Sequence, residues 1–338
     1  MQEAEMKRLF EQACKLLENK KNLIVAGHVS PDGDAVGSVL ALTHALRTEG
    51  YTVQPILQDK IPASLAFLPG VTDICQPDAF TGEPDAIIFV DCASLARAGS
   101  NWFLPWLYQV PILIFDHHKI HEDFGVPTAV VIIDPDAAAA AQIIYNFLRY
   151  RGREINKDTA TCLYAGIVSD TGGFAFTNTS SETFKLAGDL LDFGIDLEEI
   201  NNNIFKSRSY KNMKMLGVVL ANLQKSFDGL LAWSFIDLAA IEAHGASHND
   251  CDNLSNQLML LEGAGVGVLF EERPNDKVRV SLRCQKGFDV GKVAAAFGGG
   301  GHAKAAGCCL SGGLHQVMTD VLAVVETMIK EAQNECRS

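Results

Sequence analysis

Short apolar runs, each closed by polar or turn residues, recur along the first half of the chain and predict its architecture. Asn22–Ala26, Tyr51–Leu57, Ala86–Val90, Ile112–Phe115 and Ala129–Ile133 are rich in β-branched side chains and short enough to be buried strands. Helical periodicity fills the spaces between them, over about 35–49, 137–149, 157–169 and 181–193, and the N-terminal MQEAEMKRLFEQACKLLENKKN predicts an amphipathic helix. Uninterrupted apolar strands alternating with helices predict an α/β domain, a mostly parallel sheet with helices on both faces. In such sheets ligands bind at the carboxyl ends of the strands.

The pattern then changes. A polar helical stretch near Leu197–Asn222 carries little strand signal. Beyond it, Leu230–Ile236, Val266–Glu271 and Lys277–Arg283 alternate or are β-rich, with helical patterns near Asn256–Leu261 and Leu314–Asn334. This predicts a smaller α+β domain. The expected division is 1–195, a helical linker 196–222, and 223–338, with an active site in the cleft between the two domains.

Composition narrows the partners. The 338 residues are 48% apolar and 20% charged, ordinary values for a globular enzyme. No run approaches the roughly 20 apolar residues that span a bilayer, and the N-terminus lacks a signal-peptide core, so the expectation is a cytoplasmic protein that does not engage membranes. Nine irregularly spaced cysteines, including the vicinal pair Cys308–Cys309, read as reduced thiols. A net charge of −13 provides no diffuse positive field for long duplex DNA and favours a small or short anionic ligand.

Candidate chemistry lies where predicted strands and one helix end. His28, Asp32 and Asp34 follow the first strand, Asp91 follows Ala86–Val90, and Asp116-His117-His118 follows Ile112–Phe115, while Asp170 ends the 157–169 helix. Singly, each has a plain structural reading: a turn at Asp32-Gly33-Asp34, a helix cap at Asp91, a hydrogen-bonded pair at His117-His118. Their common position at element exits would bring them to one edge of the sheet. Carboxylates crowded there repel unless a cation intervenes, and two cations would use the whole set. Mixed imidazole and carboxylate ligands suit manganese, iron or zinc better than magnesium. Two such ions about 3.5–4 Å apart suit phosphoryl displacement.

HVSPDGDAVGS (His28–Ser38), VDCAS (Val90–Ser94), DHHK (Asp116–Lys119) and VSDTGGF (Val168–Phe174) resemble, in order and spacing, the four motifs of DHH-family phosphoesterases. SLRC (Ser281–Cys284) and FGGGGHAKAAG (Phe297–Gly307) resemble the DHH-associated domain of the first type. The closest likeness in length and motif style is to the bifunctional oligoribonuclease and 3′-phosphoadenosine-5′-phosphate (pAp) phosphatase group. The resemblance implies two divalent ions, manganese first, with cobalt or magnesium as alternatives. It assigns His28 and Asp32 to one ion, Asp34, His117 and Asp170 to the other, and Asp91 to both. Water activated between the ions would be the nucleophile. His118 would contact the scissile phosphate or protonate the leaving oxygen, and Asp116 would orient the histidines.

In the second domain, Gly299, Gly300, Gly301 and His302, with Arg283, are the expected substrate contacts. Glycine backbones can approach an anion closely, and a guanidinium fork matches phosphate. Lys286 and Lys304 lie near them in sequence, and Arg208 is a weaker candidate. The chain departs from its relatives' usual pattern at Cys284, where serine is common, and at Gln142, where glutamate is. The expected function is hydrolysis of very short RNA to mononucleotides, with pAp phosphatase activity beside it. A phosphodiesterase for cyclic or linear dinucleotides is the alternative, and a catalytically silent nucleotide sensor the reading from a different class. A homodimer is compatible with the sequence. His244 and His248, the Trp102–Trp106 pair and His121 carry no comparable signal; the tryptophans read as packing residues.

Overall fold

The computed structural model describes residues 3–92, 94–99, 101–118, 126, 128–285 and 287–335. The chain divides into two compact units, Met1–Ser207 and Arg208–Ser338.

The first unit holds a five-stranded, all-parallel sheet. Its strands are β1 (Asn22–Ala26), β2 (Thr52–Ile56), β3 (Ala86–Val90), β4 (Ile112–Asp116) and β5 (Val130–Ile133), in the order β2-β1-β3-β4-β5. The chain leaves β1 toward β2 on one side and returns to β3 on the other, so the strand order reverses between β1 and β3. A crevice for a ligand opens at such a switch point, outside the carboxyl ends of those strands. β3 and β4 are buried at every position, as continuous apolar runs predict.

The helices are α1 (Glu3–Leu17), α2 (Gly33–Thr48), α3 (Ala140–Tyr150), α4 (Lys157–Asp170), α5 (Ser181–Leu191) and the short α6 (Leu197–Asn201). On one face of the sheet, Leu23, Val25, Ile88, Val90, Leu113 and Phe115 join these helices in a single core. The alternate residues Ile24, Ile87, Phe89, Ile112 and Ile114 pack on the other face against Phe103 and Leu107, with Trp102 and Trp106 at the margin. That face is covered by short helical turns over 95–98 and 101–109.

α2 is the central helix, with thirteen of its sixteen residues buried. It crosses α4 so closely that a Cβ on Gly37 would lie 2.5 Å from the Cys162 carbonyl oxygen. A Cβ on Gly166 would lie 2.8 Å from the Ala141 side chain and 2.9 Å from an Asp34 carboxylate oxygen. The two glycines therefore set how near α2, α3 and α4 approach, and with them the position of Asp34.

The second unit holds a mixed six-stranded sheet. Its strands are β6 (Gln224–Ser226), β7 (Leu231–Ile236), β8 (Val266–Arg273), β9 (Lys277–Cys284), β10 (Gly300–His302) and β11 (Ala305–Ser311), in the order β10-β11-β9-β8-β7-β6, with only the β7–β8 pair parallel. α10 (Val290–Ala296) and α11 (Leu314–Glu335) cover one face, on which Val278, Val280, Leu282 and Cys284 of β9 point inward. α7 (Tyr210–Ala221), α8 (Leu238–Ala243) and α9 (Ser255–Leu258) pack on the other. β6, β10, β11, α8 and α10 have no counterpart in the sequence-based expectation. The eight cysteines among the described residues are unpaired, and no helix among those residues is long and apolar enough to cross a membrane.

The α2–α4 contact generates a prediction with a built-in control. Gly37→Ala should lower stability by about 1–3 kcal/mol, because the new methyl meets backbone that cannot rotate away. Gly217→Ala on α7, where the added Cβ meets nothing within 4 Å, should raise it by about 0.5–1 kcal/mol through helix propensity. Urea unfolding of the two variants checks both signs.

Candidate metal centre

The site is built from the ends of β1, β3, β4 and α4 and from the first turn of α2. His28, two residues beyond β1, is buried, and its Nδ1–H donates to the Val29 carbonyl at 2.7 Å. That bond turns Nε2 toward Asp91 Oδ2, 3.2 Å away, and toward Asp32 Oδ1 at 3.9 Å. Burial pushes the His28 pKa down, but the Asp91 carboxylate outweighs it, and the net direction is up. Asp32 is the N-cap of α2, accepting from the amides of Asp34 and Ala35 at 3.0 and 3.1 Å. The turn reading of Asp32 and its place beside His28 thus describe one conformation.

Asp34 is almost wholly buried. Its carboxylate accepts from the amides of Ala140 (2.6 Å) and Ala141 (3.0 Å) and from the Ser38 hydroxyl (3.0 Å). Ala139 at the start of α3 has no capping side chain, so Asp34 caps α3 from across the core. Even with those donors its pKa is driven well above the usual value, first by burial and then by Asp91, Asp170 and Asp32.

Asp91 occupies the centre. It follows β3 directly, adopts a left-handed φ of 52°, and is held by its amide donating to the Phe115 carbonyl at 2.8 Å. A non-glycine residue in that region is strained, and such strain concentrates at functional positions. Its Oδ1 lies 3.2 Å from His118 Nδ1 and 3.8 Å from His117 Nε2. Burial would raise the Asp91 pKa, but His118 and His28 outweigh burial and hold it below the ordinary carboxylate range.

Asp116, the last residue of β4, is fully buried and accepts from both the backbone amide and Nδ1 of His118, each at 2.8 Å. Asp116 and then Asp91 keep the His118 imidazole charged, its pKa raised to about 10. His117 points the other way. Its Nε2 lies 3.5 Å from Asp170 Oδ2 and 3.9 Å from Asp34 Oδ2. Asp170 sits on the last turn of α4, where the helix dipole disfavours a negative charge. Burial and the repulsion of Asp32 and Asp91 raise its pKa to about 6, with His117 opposing.

Ligand atoms of His28, Asp32 and Asp91 lie within 4.8 Å of one another, and so do those of Asp34, His117 and Asp170. His28 Nε2, His117 Nε2 and Asp91 Oδ1 are buried without a hydrogen-bond partner among the described residues. Orphaned imidazole nitrogens beside converging carboxylates, two of which (Asp34 and Asp170) have their charge suppressed, fit a divalent cation in each group, with Asp91 between them.

Arg283 and the glycines lie in the second unit, on one wall of a groove of about 890 Å³ that also contains Arg279 and Lys277. Arg283 points outward from β9, its Nε donating to Asn256 Oδ1 at 2.7 Å. The glycine run is not a free loop: Gly300–His302 pairs antiparallel with Ala305–Gly307. A Cβ on Gly301 would lie 2.5 Å from Ala306 Cα. The His302 side chain, Lys286 and His121 lie outside the described residues. Lys304 is exposed beyond β10, and Arg208 donates to Asn212.

Cys284 faces the core, its thiol donating to the Ala303 carbonyl at 3.1 Å, so the departure from serine there does not alter the Arg283 face. Gln142 accepts from the Ala138 amide at 3.0 Å, a structural role inside α3. His248 pairs with the buried Glu271 at 2.6 Å. Asn178 was missed by sequence reasoning; it ties the carbonyls of Asp170 and Ala138 together at 3.1 and 2.9 Å. A single asparagine in a polar loop gives no signal of such a tie.

Residues 22–167 match the DHH family, N-terminal domain, and residues 234–331 match the DHHA1 domain. The chain is similar to the bifunctional oligoribonuclease and PAP phosphatase NrnA of Thermus thermophilus, 31% identical over 97% of this chain and 96% of that protein. It is likewise similar to the protein of that name from Bacillus subtilis, at 30% identity over 91% and 95%. Among solved structures, an exopolyphosphatase-related protein from Bacteroides fragilis superposes with a TM-score of 0.86 at 25% identity, covering 98% of both chains. The manganese complex of RecJ from Thermus thermophilus, at 15% identity and a TM-score of 0.54, shares the fold over 54% of its length. A 31% identity spanning nearly all of both chains, with the two domain matches in order, shows that this protein belongs to the DHH-family phosphoesterases of the bifunctional oligoribonuclease and PAP phosphatase group.

Proposed function

We propose that this protein is a metal-dependent hydrolase that cleaves very short RNA to mononucleotides and removes the 3′-phosphate of pAp, with manganese as its working ion. The observation that carries the reading is the pair of three-ligand groups meeting at Asp91 on the carboxyl edge of the parallel sheet. The activities named for the relatives from Thermus thermophilus and Bacillus subtilis supply the substrate class.

His28, Asp32 and Asp91 would hold one cation, and Asp34, His117 and Asp170 the other, with Asp91 within reach of both. Two bound cations supply Lewis acidity, easing ionisation of water and neutralising charge on the scissile phosphoryl group. The chain's part is to fix where that happens. His28 is oriented by the Val29 carbonyl and Asp34 by the α3 amides, so neither needs to reorganise when substrate arrives. His118, anchored by Asp116 and the most exposed imidazole of the cluster, contacts the scissile phosphate and gives a proton to the leaving oxygen. In the second unit, Arg283 and the β10–β11 glycines offer a phosphate-binding groove.

Asp91→Asn keeps the shape but removes the charge shared by both cations. It should lower kcat by about 1000-fold or more, the scale of several kcal/mol of lost transition-state stabilisation. It should also reduce manganese bound per chain, counted by elemental analysis after desalting. Normal turnover with two ions bound would overturn the assignment.

Product analysis with manganese on 5′-phosphorylated RNA dimers, a 24-mer, pAp and cyclic di-AMP tests the substrate. Dimers and pAp should be consumed, the 24-mer nearly untouched, and a chelator should stop turnover. Preference for cyclic di-AMP would move the protein to dinucleotide signalling. Arg283→Ala should raise KM for dimers about tenfold or more with kcat little changed, the worth of a charge-assisted phosphate contact. Arg283→Lys should not restore it, since an ammonium lacks the fork.

A further inference from the structure

The loop after Asp170 carries exposed aromatic rings that neither the core nor the cation ligands require. Phe176 is 60% exposed, Phe184 on α5 is 56%, and Phe205, just beyond α6, is 42%. All three gather around residues 172–174. The Phe176 ring lies over Gly172, where a Cβ would stand 2.5 Å from its Cζ, and Phe205 lies 3.7 Å from the same point on Gly173. Phe184 stacks on Phe174, with centroids 5.1 Å apart and planes at 26°.

This loop is held in place. Gly172, Gly173 and Phe174 have successive positive φ values of 57°, 70° and 67°. Phenylalanine is strained in that region and stays there only where its surroundings force it. The Phe174 amide donates to Thr171 Oγ1 at 3.1 Å, the amides of Ala175 and Phe176 to the Thr171 carbonyl at 3.0 Å each, and Thr171 is fully buried. Asn178 binds the Asp170 carbonyl. Phe174 packs inward, near Tyr164, and the turn leaves Phe176 facing solvent with its ring over Gly172, two residues along the chain from Asp170.

We propose that these rings, Phe176 foremost, form a ledge on which a nucleobase of the substrate stacks while its phosphate is held at the Asp170 cation. This rests on the phosphoesterase reading above and adds to it the surface that grips the base. Every base offers a π face, so such a ledge binds without sequence preference and suits an enzyme for mixed short RNA. A ring fixed before substrate arrives loses little freedom on stacking. Gly172 is part of the device, since any side chain there would unseat the ring.

The test crosses the ring with the base. An RNA dimer and the two dimers made abasic at one nucleotide each are offered to the wild type, Phe176→Ala and Phe176→Trp with manganese. Phe176→Ala should raise KM for the intact dimer about tenfold, as for a lost base–aromatic stack, with kcat within about twofold. One abasic dimer should show the same penalty with the wild type, and combining it with Phe176→Ala should add no more than about twofold. Phe176→Trp should keep the intact-dimer KM within about threefold of wild type. Losses that multiply, or no change on any dimer, would overturn the ledge while leaving the activity standing. So would a smaller sedimentation coefficient for Phe176→Ala than for the wild type, which would make the ring a subunit contact. A wild type that leaves all dimers intact overturns the functional reading and this inference with it.

Discussion

Mutual repulsion among three closely set carboxylates, two buried and one half-buried, is the constraint around which the first unit is arranged. Asp34, Asp91 and Asp170 arrive from α2, β3 and α4 at one sheet edge, and apolar layers beneath them exclude the water that would screen their charge. The protein answers with what positive character it has. The first turns of α2 and α3 direct amides at Asp32 and Asp34, and His28, His117 and His118 surround Asp91. Those donors do not suffice, since Asp34 and Asp170 remain displaced toward their neutral forms. A divalent cation in each ligand group would complete a balance that the polypeptide alone leaves open.

The parallel sheet supplies the directions. Because β1, β3 and β4 run the same way, the residues that leave their carboxyl ends meet without any contact between them in sequence, and the reversal of order between β1 and β3 opens the crevice there. Strand burial and helix crossing then set the distances. β3 and β4 are apolar on both faces, which fixes them in depth, and the close α2–α4 contact fixes Asp34 against α3. The precision of the cluster thus comes from packing well away from it.

Much of this was legible in the sequence, because it lies in local patterns. Ala86–Val90 reads as a buried strand from its composition alone, and an aspartate directly after it must lie at the strand's exit. The turn at Asp32-Gly33-Asp34 and the helix ending at Asp170 follow from the same kind of reading. What was not legible depends on pairing between distant segments. β11, with its Ala, Gly and Cys residues, lacks the usual strand composition and is a strand because β9 pairs with it along its whole length. The glycine run reads as an open anion cradle, yet two of its residues belong to a hairpin. Gly37 and Gly166 give no sign of facing each other, and the trans-cap on α3 is invisible because its donors are backbone amides of alanines.

That trans-cap has a consequence for which ions the protein admits. One carboxylate oxygen of Asp34 accepts from Ala140, and the other from Ala141 and Ser38, so its bearing is set before any ion enters. His28 is clamped in the same manner by the Val29 carbonyl. Ligands locked by second bonds cannot spread to follow a larger ion. Calcium, with bonds of about 2.3–2.6 Å and a need for six to eight oxygens, asks for a yielding cage, whereas the smaller transition ions accept few ligands at short range. With Asp34 as a ligand of the proposed cation, the helix cap would act as a gauge of ionic radius: by making one ligand immovable, the fold would screen the ions around it by size.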